Sequence, residues 1–169
     1  MLISPSSRRH ANESTRLDTS IFRLAIRAIA SFLVATCVLS LLYMAGLVPD
    51  LSGTDKEIIS GGQLATIFFG WVVFSPLAET AVIAAVHEVA SNVVKPRNAA
   101  LIAAITMAAL HGLIWWAWAL IVVVPFLIFV IPFVQKQDSF KEAFFSCAAT
   151  HAFHNLYAFL CFLVFYRMA

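Results

Sequence analysis

Residues 99–134 read AALIAAITMAALHGLIWWAWALIVVVPFLIFVIPFV, 36 residues without one Asp, Glu, Lys or Arg. A helix needs about 20 residues to cross a membrane, so this run is too long for one helix and long enough for two shortened or tilted ones. Trp115, Trp116 and Trp118 lie at its midpoint. Because tryptophan favours the interface between lipid and water, we expect an outer hairpin turn there.

The composition of the whole chain indicates that lipid is its solvent. The 169 residues are 62% hydrophobic and 12% charged, with a mean hydropathy of +0.90, whereas a soluble domain carries about 25% charged residues. Cys37, Cys147 and Cys161 lie in apolar runs without paired spacing, which indicates neither disulfides nor a zinc knuckle. We therefore predict an all-α, polytopic transmembrane helix bundle of about five membrane helices, surrounded by the lipid bilayer.

Positive charges predict the orientation of the chain. Five arginines precede or open the first apolar stretch: Arg8, Arg9, Arg16, Arg23 and Arg27. Because basic residues stay on the cytoplasmic side, this cluster predicts a cytoplasmic N-terminus rather than a nucleic-acid partner. The basic turn at residues 95–98 and the lysine-containing loop at residues 135–141 are expected on the same side. A last apolar span, residues 140–166, follows that loop.

The chain is predicted to have a tail and one domain. Residues 1–20 are polar without a core-forming pattern, and we expect a mostly disordered cytoplasmic tail. Residues 21–169 are predicted to form a single transmembrane helical domain, whose first span covers residues 21–48. Residues 58–94 exceed one straight span and contain Pro76, which predicts one long helix kinked near Pro76 or a short helix followed by a second.

Polar residues inside the spans are the candidate functional residues. A charge at mid-bilayer costs about 3 kcal/mol on insertion scales, so an ionisable side chain there indicates a site. Four places qualify: Glu79, the His87-Glu88 pair, His111, and the group His151, His154 and Asn155. Counted from the nearest cytoplasmic turn at 1.5 Å per residue, Glu79, His111 and His151 lie roughly 24, 21 and 20 Å deep. We therefore expect these three residues to meet in one layer, with His87 and Glu88 about 10–12 Å deep at its edge.

Small residues accompany these polar ones. They form rows at four-residue spacing: Ala104, Ala108 and Gly112 beside His111, Ala81 and Ala85 after Glu79, and Ala148 and Ala152 around His151. Such rows allow helix backbones to approach closely. His151 and Asn155 are four residues apart and are expected on one helix face.

Three ordered motifs resemble those of a known family. They are Pro76-Leu77-Ala78-Glu79-Thr80-Ala81-Val82-Ile83-Ala84, Met107-Ala108-Ala109-Leu110-His111 and His151-Ala152-Phe153-His154-Asn155. Their order and spacing resemble the Pro-x-x-Glu-Glu-x-x-x-Arg, Phe-x-x-x-His and His-x-x-x-Asn motifs of the CAAX prenyl protease and abortive-infection group of glutamic intramembrane proteases, also linked with bacteriocin processing. Thr80 and Ala84 stand where that family has its second Glu and its Arg, and Met107 stands where it has Phe.

The resemblance implies an intramembrane endopeptidase in the inner membrane of a bacterium. Glu79 would be the general base on a water also held by His111, and the water would attack a peptide carbonyl. His151 and Asn155 would donate hydrogen bonds to the oxyanion, a contribution of about 3 kcal/mol per donor. No metal or cofactor is then required. The substrate would be a membrane-associated peptide or protein, and the oligomeric state is not indicated.

Two alternatives remain open at this point. The altered first motif also fits a catalytically inactive relative that acts as a membrane binding or immunity protein. A metal or haem site built from His87, His111, His151 and His154 is a third possibility, because imidazoles are common ligands in helix bundles. His154 is expected to face a neighbouring helix or water, and His87 and Glu88 are expected in an ion pair or interface at the cytoplasmic end, or in place of the missing Glu and Arg. The first apolar helix also fits an addition to the bundle that faces a partner protein, and the sequence leaves this open.

Overall fold

A computed structural model describes residues 5–48, 59–135 and 139–168, with side chains from residue 21 to residue 164 within these ranges. The elements are α1 (Pro5–Met44), α2 (Gly61–Phe68), a π-helical segment (Phe69–Phe74), α3 (Ser75–Ser91), α4 (Pro96–Ile114), α5 (Trp116–Phe129), α6 (Ile131–Val134) and α7 (Phe140–Met168). The described residues contain no strand, and the predicted all-α class is confirmed.

Within these ranges, four helical segments are long and apolar enough to cross a membrane. They are Ile21–Met44, Gly61–Ser91, Pro96–Ile114 and Phe140–Val164. Helix α5 is apolar but has only 14 residues, fewer than the roughly 20 of a full crossing. The chain is therefore a helical membrane bundle, as its composition predicts.

The chain from Gly61 to Ser91 is one continuous helical segment whose register changes before Pro76. Proline has no backbone N–H, and its ring collides with the carbonyl four residues back in a regular α-helix. The Ser75 N–H donates instead to the Gly70 carbonyl, five residues back. The wider π-helical turns accommodate Pro76 at this position. Of the two forms that the sequence predicts, the continuous helix is the one observed.

The core lies where α4 packs between α3 and α5. Helix α4 buries a stripe of small residues: Ala100, Ala103, Ala104 and Ala108. The rings of Phe126, Phe129 and Phe133 pack against this stripe. Gly112 permits a close approach of α4 and α5, since a Cβ there would lie 3.0 Å from the Ala119 Cβ.

The small-residue row on α3 does not lie in the core. Ala81 and Ala85 are exposed, whereas Thr80, Ile83 and Ala84 are buried. The expectation that Ala81 and Ala85 allow a close helix approach is therefore wrong. Successive residues of a helix are 100° apart, so the packed stripe of α3 leaves them on its outer side.

Helix α1 packs on α5 and α7. Arg27 donates a hydrogen bond to Gln135 at 2.8 Å, and Ser31 bonds His154 at 2.8 Å. The backbone of residues 5–20 continues this helix, where the sequence predicts a mostly disordered tail. The division of the chain at residue 20 stays a prediction. The turn between α4 and α5 lies at the extended residue Trp115, where the tryptophan cluster predicts a turn.

Candidate active site

A cavity of about 510 Å³ lies among α1, the π-helical segment, α3, α4, α5 and α7. The four residues expected in a site, Glu79, His111, His151 and Asn155, all line it. The rest of its wall is mostly apolar and includes Phe32, Leu39, Trp71, Trp118, Phe126 and Phe129. The bundle therefore holds one carboxylate and several imidazoles against an apolar space.

Glu79 is the centre of this group. Its Oε2 lies 3.7 Å from His111 Nε2 and 3.8 Å from His151 Nε2. Its Oε1 accepts a hydrogen bond from the Ser75 hydroxyl. Oε2 is buried and has no hydrogen-bond partner among the described residues. These separations are longer than direct hydrogen bonds.

His111 is fixed by its own helix. Its Nδ1 donates to the Met107 carbonyl at 2.9 Å, because a carbonyl oxygen can only accept. In the neutral ring, Nε2 is then an acceptor that faces Glu79. Trp118 and Phe126 contact the ring, with centroids 5.4 and 5.2 Å away. The backbone of Met107 thus holds His111, while its side chain is buried in the core.

His151 is held by aromatic rings. It stacks on Phe129, with centroids 4.4 Å apart and planes inclined by 20°, and Phe126 meets it edge-on at 5.8 Å. The side chain is only 6% exposed, against 19% for Glu79. Its Nδ1 has no partner in the described part of the chain. Packing rather than hydrogen bonding therefore orients Nε2 toward Glu79.

Asn155 reaches a different partner. Its Nδ2 donates to the Trp71 carbonyl at 2.8 Å. The Ser75 N–H uses the Gly70 carbonyl, and the next N–H in that register would belong to Pro76, which has none. The π-helical turn thus leaves the Trp71 carbonyl without a helical donor, and Asn155 satisfies it.

His154 faces α1. The Ser31 hydroxyl donates to the Ala28 carbonyl at 2.8 Å, so His154 Nδ1 is the donor to Ser31. The ring also meets Phe32 edge-on, with centroids 6.1 Å apart. His154 lines the cavity, but its contacts are with a neighbouring helix, as expected.

The remaining sequence-predicted residues lie apart from the cavity. His87 is buried against the Phe133 ring at 5.1 Å, and Glu88 is exposed. Thr80 is fully buried, with its hydroxyl 3.6 Å from the Cys147 Sγ, and Ala84 is buried in the core. Thr80 and Ala84, two of the three positions that differ from the motifs of the family that the chain resembles, thus lie in helix packing.

Sequence reasoning missed two contributors to the cavity. Ser75 lies four residues before Glu79, and this spacing could have identified it, because residues four apart share a helix face. The α1 residues Phe32, Thr36 and Leu39 also line the cavity. Nothing in the sequence of α1 distinguishes that face from one that contacts lipid.

No group of three or more His, Cys, Asp or Glu side chains in the described ranges is arranged to hold a metal ion. What the site offers is one buried carboxylate oxygen between two imidazole nitrogens, on a glutamate that lines an apolar cavity. Comparison with known protein families, curated proteins and solved structures gave no match for this chain.

Proposed function

We propose that this protein is an intramembrane endopeptidase of the glutamic type, in which Glu79 and His111 activate a water molecule. The observation that carries the proposal is the position of Glu79 Oε2, 3.7 and 3.8 Å from the Nε2 atoms of His111 and His151, beside a cavity within a membrane bundle. The resemblance of the three motifs to the CAAX-type prenyl protease group supports the same chemistry.

The first step is attack by water. Glu79 Oε2 and His111 Nε2 are both acceptors, so one water can donate a proton to each and keep a lone pair for the substrate. As the water oxygen bonds to the peptide carbonyl carbon, one proton passes to Glu79 Oε2. When the C–N bond breaks, Glu79 returns this proton to the leaving amine. General base and acid catalysis of this kind contributes about 10²–10⁴-fold.

The second requirement is stabilisation of the oxyanion. His151 Nε2 is oriented toward the same point by the stack on Phe129, and in its Nε2–H tautomer it is a donor. Asn155 keeps a second amide N–H beyond the one that Trp71 accepts. Each donor to an oxyanion contributes about 3 kcal/mol.

The substrate is proposed to be a membrane-associated peptide or protein with uncharged side chains around the scissile bond. Glu79 is the only Asp, Glu, Lys or Arg side chain along the described lining of the cavity. A charged substrate residue in this apolar space would lose its hydration without an opposite charge. Apolar segments that already lie in the bilayer avoid this cost.

The finer topology is part of the proposal. Residues 116–134, which form α5 and α6, extend about 28 Å at 1.5 Å per residue, close to the roughly 30 Å of the hydrocarbon core. We propose that they cross as a fifth span, with the N-terminus in the cytoplasm and the chain in a bacterial inner membrane. The number of subunits is not part of the proposal.

The test compares Glu79→Gln with Glu88→Gln, since both lose a carboxylate of α3 but only Glu79 lines the cavity. Each variant and the wild type are expressed to equal level in cells that lack the protein, and new N-termini of membrane proteins are mapped by mass spectrometry. We expect fragments with wild type and Glu88→Gln, reduced at least about 100-fold with Glu79→Gln. Equal fragments with Glu79→Gln at equal protein level would contradict the proposal.

A second candidate is a catalytically inactive binding or immunity protein. Thr80 and Ala84, both buried, replace the second Glu and the Arg of the family motif, which favours this alternative. It predicts that Glu79→Gln has the wild-type phenotype and that no fragment depends on the wild-type protein.

A further inference from the structure

Ser75 departs from a pattern that five other membrane hydroxyl groups share. Five hydroxyls donate to a backbone carbonyl three or four residues back in their own helix: Ser31 to Ala28, Thr36 to Phe32, Ser40 to Thr36, Thr66 to Gly62 and Thr150 to Ser146. This is the usual local bond of Ser and Thr inside helices. Ser75 donates to Glu79 Oε1 instead.

The carbonyl that Ser75 would use lies four residues back, at Trp71. It accepts the Asn155 Nδ2–H at 2.8 Å. A carbonyl with one lone pair engaged competes weakly against a carboxylate, because hydrogen bonds to an ionised acceptor are about twice as strong as neutral ones. With one lone pair of the Trp71 carbonyl engaged by Asn155, the Ser75 hydroxyl donates to Glu79 Oε1.

The two oxygens of Glu79 are consequently distinct. Oε1 is held by Ser75, whereas Oε2 has no hydrogen-bond partner in the described residues and faces His111 and His151. We propose that Asn155 and Ser75 form a positioning relay through the Trp71 carbonyl, which selects Oε2 of Glu79 as the oxygen that receives the proton. The role of the relay in catalysis rests on the proposed function, whereas the relay itself rests on these contacts.

The relay assigns both residues a positioning role. Without it, the Ser75 hydroxyl turns to the Trp71 carbonyl, and the Glu79 carboxylate loses the bond that fixes its rotation. A small displacement of a general base lowers the rate acceleration that it provides, since the rate depends on the orientation of the reacting groups. The role differs from the oxyanion contact that the motif predicts for Asn155.

Infrared difference spectroscopy tests the relay without any substrate. The purified protein in phosphatidylcholine liposomes is acidified, and the carboxyl C=O band that is absent from Glu79→Gln is assigned to Glu79. When Oε2 holds the proton, Oε1 is the C=O group bonded to Ser75. We therefore expect the band at higher frequency in Ser75→Ala, the same shift in Asn155→Ala, and no further shift in the double variant.

Matched variants control for general effects of substitution. Ser75→Thr retains the hydroxyl and should restore the wild-type band. Ser40→Ala and Asn92→Ala remove a hydroxyl and an amide that bond only to their own helix, and should leave the band in place. If Asn155→Ala does not fold, Asn155→Leu keeps the side-chain size without a donor. An unchanged band in either Asn155 variant, or additive shifts in the double variant, would overturn the relay.

Kinetics give the second readout, with a peptide that spans the cleavage site mapped with the wild-type protein. We expect Ser75→Ala to lower kcat about tenfold with KM unchanged, Asn155→Ala to lower kcat further because its oxyanion donor is lost as well, and the double variant to lose no more than Asn155→Ala alone. If Asn155 acts only on the oxyanion, the losses multiply instead, which refutes the relay. Absence of cleavage by the wild type refutes the proposed function, while the infrared result still decides the relay.

Discussion

The two carboxylate oxygens of Glu79 face different groups. Ser75 binds Oε1, and two imidazole nitrogens face Oε2. His151 stacks on Phe129, His111 is held by the Met107 carbonyl, and Phe126 contacts both histidines. Aromatic packing orients a histidine without occupying its ring nitrogens.

His111→Ala and His151→Ala should each behave like Glu79→Gln. Each removes one nitrogen that faces Oε2, and we expect at least about 100-fold less of the wild-type fragments at equal protein level. His87→Leu is the matched control, because His87 lies outside the cavity and its ring nitrogens have no partner in the described residues. Retained cleavage in His111→Ala contradicts the proposed water activation, and retained cleavage in His151→Ala contradicts the proposed oxyanion contact.

Among the helices, α4 determines how closely its neighbours α3 and α5 can pack around the site. Its alanine stripe allows α3 and α5 to approach, and Gly112 lies directly against Ala119 after His111. A methyl group at residue 112 would meet another methyl group rather than the end of a flexible side chain. The two helix backbones would have to separate beside the histidine that faces Glu79.

Gly112→Ala and Gly62→Ala test this contact as a pair. Both exchange a helical glycine for the better helix former, but nothing lies within 4 Å of a Cβ built at Gly62. We expect Gly112→Ala to be less stable than Gly62→Ala by about 1–3 kcal/mol, the cost of overpacking. Thermal unfolding in detergent measures the difference. Equal or higher stability of Gly112→Ala would mean that α4 and α5 are not tightly packed there.

For the complete bundle, the number of crossings determines on which side each loop lies. In the described ranges four segments meet the length of a span, and α5 with α6 is the fifth crossing that we propose. With five crossings, the loop before α7 lies on the same side as the turn between α3 and α4. With four, it lies on the opposite side.

Cysteine labelling in membrane vesicles distinguishes these topologies. Single cysteines are placed at Asn98, Trp116 and Ser139 in a variant without Cys37, Cys147 and Cys161. We expect the residue 98 and residue 139 cysteines to react with a membrane-impermeant maleimide only from the cytoplasmic side, and the residue 116 cysteine only from the outside. Reaction of residue 139 from the outside would show that α5 and α6 do not cross.

The sequence predicts much of this architecture for simple physical reasons. Long uncharged runs identify membrane helices because the hydrocarbon layer has a set thickness and excludes charge. The constant rise of a helix predicts that Glu79, His111 and His151 lie at one depth, and the structure brings their side chains together. Ser75 also lies within reach of such reasoning, one turn before Glu79.

The rotation of each helix and the contacts between distant segments could not be predicted from the sequence, because they depend on how the helices pack. The sequence places Ala81 and Ala85 in a close interface, but they are exposed, and α1 lines the cavity without any signal in its composition. Asn155 bonds a carbonyl 84 residues away, which is available because Pro76 lacks an N–H. Depth along a helix follows from counting residues, whereas the direction of each side chain depends on which neighbours surround that helix.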